Sequence, residues 1–146
     1  EFAKFCGGAE MLELRRISVG HITESACHTL QELSDAMWLA RERRDESAIR
    51  KLLVPASEAL SLPKIVLQDS AVEAVCAGSP VYRPGLSSFD GGISEGAEVA
   101  LMTEKSELVG IGRATASSEK MNREKKGTVA VPMTIIMKRG TYPRKW

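Results

Sequence analysis

Residues 64–78 read KIVLQDSAVEAVCAG, and this stretch decides how the second half of the chain folds. KIVLQ is a short β-rich run, which predicts a strand. Asp69 then caps a helix over SAVEAVCA, and Gly78 supplies the residue at which that helix ends. A strand followed at once by a short, well-terminated helix indicates that a compact module begins at Pro63.

The sequence after Gly78 is typical of a small β domain, because short β-rich runs alternate with Gly-rich turns. In the last run, TVAVPMTIIM, apolar side chains alternate at Val129, Val131, Met133, Ile135 and Met137. This alternation predicts one buried face. Pro132 has no N–H, so we expect the strand to lie at an edge or to carry a bulge there. MNREKKG, just before this run, reads as a polar connection. The sequence from Pro63 onward therefore predicts a small β-barrel or sandwich with one short helix.

The sequence before Pro63 has a different character and is mostly helical. EMLELRRISV, residues 10–19, reads as a strand or extended segment. A helix follows with a capping box formed by Thr29 and Glu32, and its apolar residues recur at helical spacing over 30–40. SAIRKLL predicts a further short helix that Pro55 ends. We therefore expect an α+β chain with one domain over residues 1–62 and another over residues 63–146.

Composition limits the classes of protein that the chain can belong to. It has 146 residues, of which 43% are hydrophobic and 27% charged, as in globular proteins. No apolar run approaches the roughly 20 residues of a membrane-spanning helix, and no secretory signal is present, so we expect no membrane partner. Cys6, Cys27 and Cys76 form no CxxC pair, which predicts buried, reduced thiols in an intracellular protein rather than a zinc site or disulfides.

Charge is distributed unevenly along the chain. The net charge is only +1, but residues 117–146 hold eight basic side chains against two acidic ones. A basic end on a near-neutral chain suits a polyanionic partner. An ordinary solvated basic tail explains the same pattern equally well.

Local motifs do not indicate an enzyme. His21 and His28, the two histidines, lack neighbours at metal-ligand spacing, so we expect no metal site. No GxSxG, P-loop or GxGxxG motif occurs. Gly110 and Gly112 form only GxG, which favours a closely packed strand.

Two short segments favour contact with a nucleic acid. Tyr82-Arg83-Pro84-Gly85 places a ring and a cation beside a rigid turn, and Tyr142-Pro143-Arg144-Lys145-Trp146 holds two rings and two cations. Aromatic rings can stack on bases while cations bind phosphates. The first segment can equally be an ordinary loop, and the rings of the second can be core side chains that close a barrel.

Several stretches together resemble one family. They are LELRRISVG (12–20), LPKIVLQDSAVEAVCAG (62–78), VYRPGL (81–86), DGGI (90–93), EVALMTEKSELVGIGRA (98–114) and TYPRKW (141–146). In this order they resemble the C-terminal part of dyskerin-type, RNA-guided pseudouridine synthases of the TruB class, from about Cys6 to Trp146. The resemblance implies that a remnant of the catalytic domain over 1–62 precedes an RNA-binding PUA domain, a small β-barrel with a short helix, over 63–146.

The resemblance also implies partners and site residues. It implies binding of the lower stem and ACA box of an H/ACA guide RNA, for conversion of uridine to pseudouridine in rRNA, together with small accessory proteins and without metal or cofactor. Leu14, Arg15 and Arg16 would lie beside the active site. The residues expected to contact RNA are Arg83, Pro84, Gly85, Tyr142, Arg144 and Lys145, followed by Lys64, Ser70, Lys138 and Arg139. Each of them can instead be part of the domain framework.

The family's catalytic Asp lies in a motif upstream of these segments, and no residue of this chain corresponds to it. We therefore expect the 146 residues to be inactive by themselves. Since the chain starts at Glu1 rather than methionine, we expect it to be processed or to be a piece of a longer protein. The alternatives are a platform for protein interaction and a stand-alone PUA-type RNA-binding module. We expect an intracellular location, the nucleolus in a eukaryote or the cytoplasm in an archaeon.

Overall fold

The computed structural model describes residues 2–5, 7–8 and 10–143 of the chain. The chain divides into two compact units, residues 1–54 and residues 55–146. This division lies between the last helix of the first unit and the first strand of the second. No helix among the described residues is long and apolar enough to cross a membrane.

The first unit is mostly helical. Its elements are α1 (Phe2–Phe5), β1 (Ser18–Val19), β2 (Ile22–Thr23), a 3-10 turn (Glu24–Ala26), α2 (Leu30–Glu42) and α3 (Ser47–Leu52). β1 and β2 form a two-stranded antiparallel sheet. Of the segment 10–19, predicted as a strand or an extended segment, only the last two residues form a strand. Residues 10–17 pair with no strand among the described residues, and the carbonyl of Ile17 accepts instead from the N–H of Glu24 at 3.0 Å.

The capping box predicted for α2 is confirmed. The backbone N–H of Glu32 donates to Oγ1 of Thr29 at 3.2 Å, and the N–H of Thr29 donates to Oε2 of Glu32 at 2.7 Å. These two bonds satisfy donors that the first turn of a helix otherwise leaves unpaired. The bond from the Thr29 N–H, followed by one from the Thr29 hydroxyl, holds the pKa of the Glu32 carboxyl below its usual value, because a carboxylate that accepts hydrogen bonds prefers the charged form.

The second unit is a nearly closed, six-stranded sheet with three short helices, which confirms the predicted mixed fold with a small barrel. Its elements are α4 (Ala56–Ala59), β3 (Lys64–Leu67), α5 (Asp69–Cys76), β4 (Val81–Tyr82), a 3-10 turn (Arg83–Gly85), β5 (Leu86–Phe89), β6 (Glu98–Thr103), β7 (Leu108–Ala114), α6 (Ser118–Arg123) and β8 (Thr128–Ile135). The strand order is β4-β8-β7-β6-β3-β5, and only β3 and β6 run parallel. Ile65, Leu67, Val99, Leu101 and Val109 are fully buried inside this sheet.

Gly78 and Gly110 each lie where the backbone of this unit requires glycine. Gly78 lies at φ +94° and ends α5, where its N–H bonds to Val75 O and the N–H of Ser79 bonds to Ala74 O. This pair of bonds is the usual left-handed helix ending, as expected. A Cβ on Gly110 would lie 2.3 Å from the carbonyl oxygen of Thr134, which confirms the closely packed strand.

Strand β8 departs from the predicted alternation. Val129 is buried, but Val131 and Met133 are 42% and 51% exposed. Both pairings of β8 are irregular, because the register skips Met133 against β7 and Val129 against β4. Each extra residue interrupts the strict alternation of side chains along the strand. The expected bulge is therefore present in β8 at Met133, next to Pro132. On the other side, the pairing with β4 reaches only Ala130, so no partner requires an N–H at that proline.

Three smaller expectations are wrong. Asp69 is the first residue of α5 rather than its cap, which is Gln68. The polar connection MNREKKG begins inside α6, a helix that the hydroxyl of Ser117 caps by accepting from the N–H of Lys120. Cys76 is buried as expected, with its pKa raised by burial, but Cys27 is exposed. Cys6 lies outside the described residues.

Candidate nucleic-acid interface

The Arg83–Gly85 turn packs across the start of α5. The backbone N–H of Gln68 donates to the carbonyl of Gly85 at 2.9 Å, and Nε2 of Gln68 donates to the carbonyl of Leu86 at 3.2 Å. A Cβ on Gly85 would lie only 2.9 Å from Cβ of Ala71. Glycine is therefore required because the turn lies so close to the helix, and Pro84 remains exposed at the tip of the turn.

An apolar groove runs beside this turn. It has a volume of about 270 Å³ and is lined by Ala71, Ala74, Val75, Ser79, Pro80, Val81, Tyr82 and Gly85. The Tyr82 side chain is 53% exposed, although its backbone pairs with Thr128 of β8. A half-exposed ring at the edge of an apolar groove can take a nucleic acid base by stacking. Tyr82 lay within the segment that the sequence singled out but was not among the residues expected to contact RNA.

Arg83 is largely occupied within the fold. Its Nε donates to the carbonyl of Met121 at 2.7 Å, and its guanidinium lies 5.6 Å from the centroid of the Phe89 ring. Its backbone N–H donates to the carbonyl of Gly127 at 2.9 Å. The Met121 carbonyl belongs to the last turn of α6, where carbonyls have no partner within the helix. Arg83 thus terminates α6 and fixes the segment that follows it.

The residues after β8 return to the body of the unit. The N–H of Gly140 donates to Oε2 of the buried Glu73 at 2.8 Å, and the Tyr142 hydroxyl donates to Oε2 of Glu107 at 2.5 Å. Tyr142 is only 6% exposed and Nζ of Lys105 lies 5.2 Å from its ring centroid, so no face of the ring is open to a base. The structure thus favours the core-aromatic alternative for Tyr142. The hydrogen bond to Glu107 raises its pKa.

The turn and the returning segment lie on different sides of α5. The turn contacts Ala71, and the returning segment bonds to Glu73, which is two residues or roughly 200° further around the helix. The exposed Ser70 lies between these two directions. Lys138 and Arg139, both exposed, precede Gly140. The structure therefore brings Ser70, the turn and the Lys138–Arg139 pair around one helix.

The remaining predicted residues lie elsewhere. Lys64 is part-buried, donates its backbone N–H to Asp90 at 2.8 Å and lines a separate cleft with Ser57, Thr103 and Ser106. Leu14, Arg15 and Arg16 belong to the first unit and are exposed, and Arg15 forms an ion pair with Glu24. Arg144 and Lys145 lie outside the described residues. The part of the chain that the structure describes includes no group of histidine, cysteine and acidic side chains that could hold a metal ion.

Family models match both parts of the chain. A model described as the PUA domain matches residues 63–136, and one described as the tRNA pseudouridylate synthase B C-terminal domain matches residues 3–61. The probable tRNA pseudouridine synthase B of Pyrobaculum aerophilum is 45% identical over 140 residues, which are 95% of this chain and 42% of that relative. The protein of the same name from Methanosarcina barkeri is 44% identical over 142 residues, 97% of this chain and 42% of the relative.

Solved structures give the same result. The archaeal box H/ACA sRNP Nop10-Cbf5 complex contains a chain that matches with a TM-score of 0.81 and 39% identity, over 95% of this chain and 45% of that one. An H/ACA RNP bound to a substrate RNA containing 2′-deoxyuridine contains another, with a TM-score of 0.76 and 36% identity, over 85% of this chain and 40% of that one.

The small barrel with its short helix, together with these matches, defines a PUA-type module. The chain belongs to the PUA domain family, whose model covers just over half of its residues. Its first part is similar to the C-terminal domain of TruB-type pseudouridine synthases, which confirms the resemblance inferred from the sequence. The chain spans less than half the length of these curated relatives.

Proposed function

We propose that this chain is the RNA-binding C-terminal part of an H/ACA-type pseudouridine synthase. In this proposal the second unit holds the unpaired end of a guide RNA, with its ACA box, in the groove beside α5. The observation that carries the proposal is the half-exposed Tyr82 ring at an apolar groove that the Gly85–Ala71 contact keeps rigid. A rigid groove with one ring needs little reorganisation to take a base.

The relatives support a place in a uridine-isomerising particle. The curated relatives carry the name tRNA pseudouridine synthase B, and the matching structures were solved within H/ACA particles, in one case with Nop10 and in another with a substrate RNA. We propose rRNA as the substrate and small accessory proteins as partners of this chain. Leu14, Arg15 and Arg16 would then border the active site that a complete catalytic domain forms.

Individual residues take different parts in this proposal. Tyr82 stacks on a base, and the exposed Ser70 offers a hydroxyl at the first turn of α5. Lys138 and Arg139 bind phosphates on the other side of that helix, and Arg144 and Lys145 extend this contact. Lys64, in its separate cleft, binds a phosphate further along the stem. Tyr142 supports the returning segment from inside.

The test is binding of the chain to two RNA hairpins that end either in ACA or in a scrambled trinucleotide. Wild type should prefer ACA. Tyr82→Ala should lose about 1–3 kcal/mol of binding free energy, the usual contribution of one stacked base. Tyr82→Phe keeps the ring and should bind like wild type. Equal affinity of wild type for both hairpins across a range of salt would show that the groove binds RNA without sequence preference.

One observation favours a second function, a docking platform for an accessory protein. Helix α2 buries only Ala36, whereas Leu30 and Trp38 are 85% and 54% exposed along a cleft shared with Leu33 and Met37. An apolar helix face of this kind fits a protein partner. The full chain carrying Leu30→Glu and Met37→Glu should lose a copurifying accessory protein and keep its affinity for the ACA hairpin. Retention of the partner would exclude this face as the platform.

A further inference from the structure

We propose that the segment 120–126 is a phosphate-binding arm of the RNA interface and that Arg83 positions it. This inference rests on the proposed function, since it extends the groove by a second contact with the same RNA. The segment reads KMNREKK and holds four basic side chains, Lys120, Arg123, Lys125 and Lys126. The sequence counted these residues in the basic end of the chain and otherwise indicated only a polar connection.

Three backbone carbonyls hold the segment in place. Arg83 binds two of them, Met121 O through Nε at 2.7 Å and Gly127 O through its own N–H at 2.9 Å. The third is Thr128 O, which accepts from Oγ1 of Thr115 at 3.0 Å. A polar loop without such contacts would sample many positions, and ordering it on binding would cost conformational entropy. Here hydrogen bonds on both sides of the basic stretch, at Met121 and at Gly127–Thr128, anchor it before any RNA arrives.

The segment lies directly beside the groove. Thr128 is the pairing partner of Tyr82, the ring that the proposed function assigns to base stacking. Paired residues of neighbouring strands have Cα atoms about 5 Å apart, and Lys126 is two residues from Thr128, or at most about 7 Å. The Lys126 Cα is therefore within roughly 13 Å of the Tyr82 Cα. A lysine side chain reaches far enough from there to meet phosphates close to a base stacked on Tyr82.

The four cations are available for such contacts. All are exposed, and none forms an ion pair with another described residue. Glu119 and Glu124 are the acidic neighbours, so the segment keeps a surplus of positive charge. Exposed cations on a fixed backbone favour phosphodiester groups, because binding releases the counterions condensed on the RNA. An acidic protein would be a different class of partner, and the experiment distinguishes its binding from that of RNA.

The experiment measures the salt dependence of affinity for the ACA hairpin with the full chain. Removing one phosphate contact should lower the slope of log K against log salt by about 0.7 to 0.9. The fourfold variant Lys120→Gln, Arg123→Gln, Lys125→Gln, Lys126→Gln should lower the slope by at least about 1.5, equivalent to two contacts. It should keep the preference for ACA over the scrambled trinucleotide. Lys51→Gln, which changes an exposed lysine of α3 outside the proposed interface, is the control and should change the slope little.

Arg83 is tested as a positioning residue with Arg83→Lys, which keeps the charge and removes the directed Nε–H. This change should weaken binding of the ACA hairpin in the wild-type background and have no further effect in the fourfold variant. A direct phosphate contact by Arg83 would instead make the two changes additive. Additivity would overturn the positioning role.

Two outcomes would overturn the arm itself. One is a slope change below about 1.5 for the fourfold variant while wild type still prefers ACA. The other is unchanged RNA affinity with loss of a copurifying acidic protein, which would assign the segment to that partner. If the fourfold variant unfolds, Lys126→Glu alone should lower the affinity more than Lys51→Glu does, and equal effects would count against the arm. Failure of the proposed function looks different, because wild type would then show no trinucleotide preference.

Discussion

The hydroxyl of Tyr142 donates a 2.5 Å hydrogen bond to the carboxylate of Glu107, which lies 35 residues earlier in the turn between β6 and β7. Oγ1 of Thr103 donates to the same carboxylate oxygen at 3.3 Å. Glu107 thereby joins the end of the described chain to the central hairpin of the sheet. The segment that carries Lys138 and Arg139 is held at both ends, by β8 and by this bond.

Replacing Tyr142 by Phe should lower the free energy of unfolding by about 1 kcal/mol, the usual net contribution of one hydrogen bond. The ring stays in the core, so only the hydroxyl is removed. Urea unfolding at pH 7 measures the change, and Tyr82→Phe serves as a matched control because the Tyr82 side chain is exposed. Since the Tyr142 ring has no open face, the preference for ACA should be unchanged in Tyr142→Phe. Loss of that preference would show that the residue contacts RNA directly.

The same bond predicts a dependence of stability on alkaline pH. The hydrogen bond to Glu107 raises the pKa of Tyr142 in the folded state. A raised pKa stabilises the fold fully below the ordinary tyrosine pKa of about 10, and this contribution disappears as the pH rises through the folded-state value. The chain has two tyrosines, so Tyr82→Phe leaves only Tyr142 to titrate. Its phenolate absorbance should appear at higher pH in the folded protein than in urea, and coincident titrations would contradict the bond.

The contact between Gly85 and Ala71 gives a prediction about packing. Gly85→Ala should lower the free energy of unfolding by about 1–3 kcal/mol, because the new methyl group would meet Cβ of Ala71 at 2.9 Å. Ala71→Gly removes the obstruction, so the double variant should lose less unfolding free energy than the sum of the losses of the two single variants. Gly91→Ala is the control, since a Cβ there meets nothing within 4 Å. Full additivity in thermal unfolding would show that the turn can move away.

Local sequence chemistry predicted the elements whose ends depend on nearby residues. The capping box at Thr29 and the helix stop at Gly78 each act within a few residues, and both are present. The side of β8 that is buried was not predictable, because it depends on irregular pairings with both β7 and β4. The same holds for the interface. The contact of Arg83 with Met121 joins residues 38 positions apart, and no periodicity in the sequence records such a pairing.

Glu73 should control the Lys138–Arg139 pair through its bond to Gly140. Its carboxylate is buried and accepts the Gly140 N–H at 2.8 Å, so Glu73→Ala would leave that donor without its partner. Glu73→Gln keeps an acceptor oxygen in nearly the same place. We expect the alanine variant to speed amide exchange at Gly140 and to weaken binding of the ACA hairpin, and the glutamine variant to restore most of both.

The control for this prediction is to make Glu73→Ala and Glu73→Gln, separately, in a chain that also carries Lys138→Ala and Arg139→Ala. If Glu73 acts by placing these two cations, Glu73→Ala should have no further effect on RNA affinity in that background, although it should still speed exchange at Gly140. A purely structural role would weaken RNA binding to the same extent in both backgrounds, because general loosening of α5 would also disturb the groove. The combination of exchange and affinity therefore separates positioning of the cations from stability of the helix.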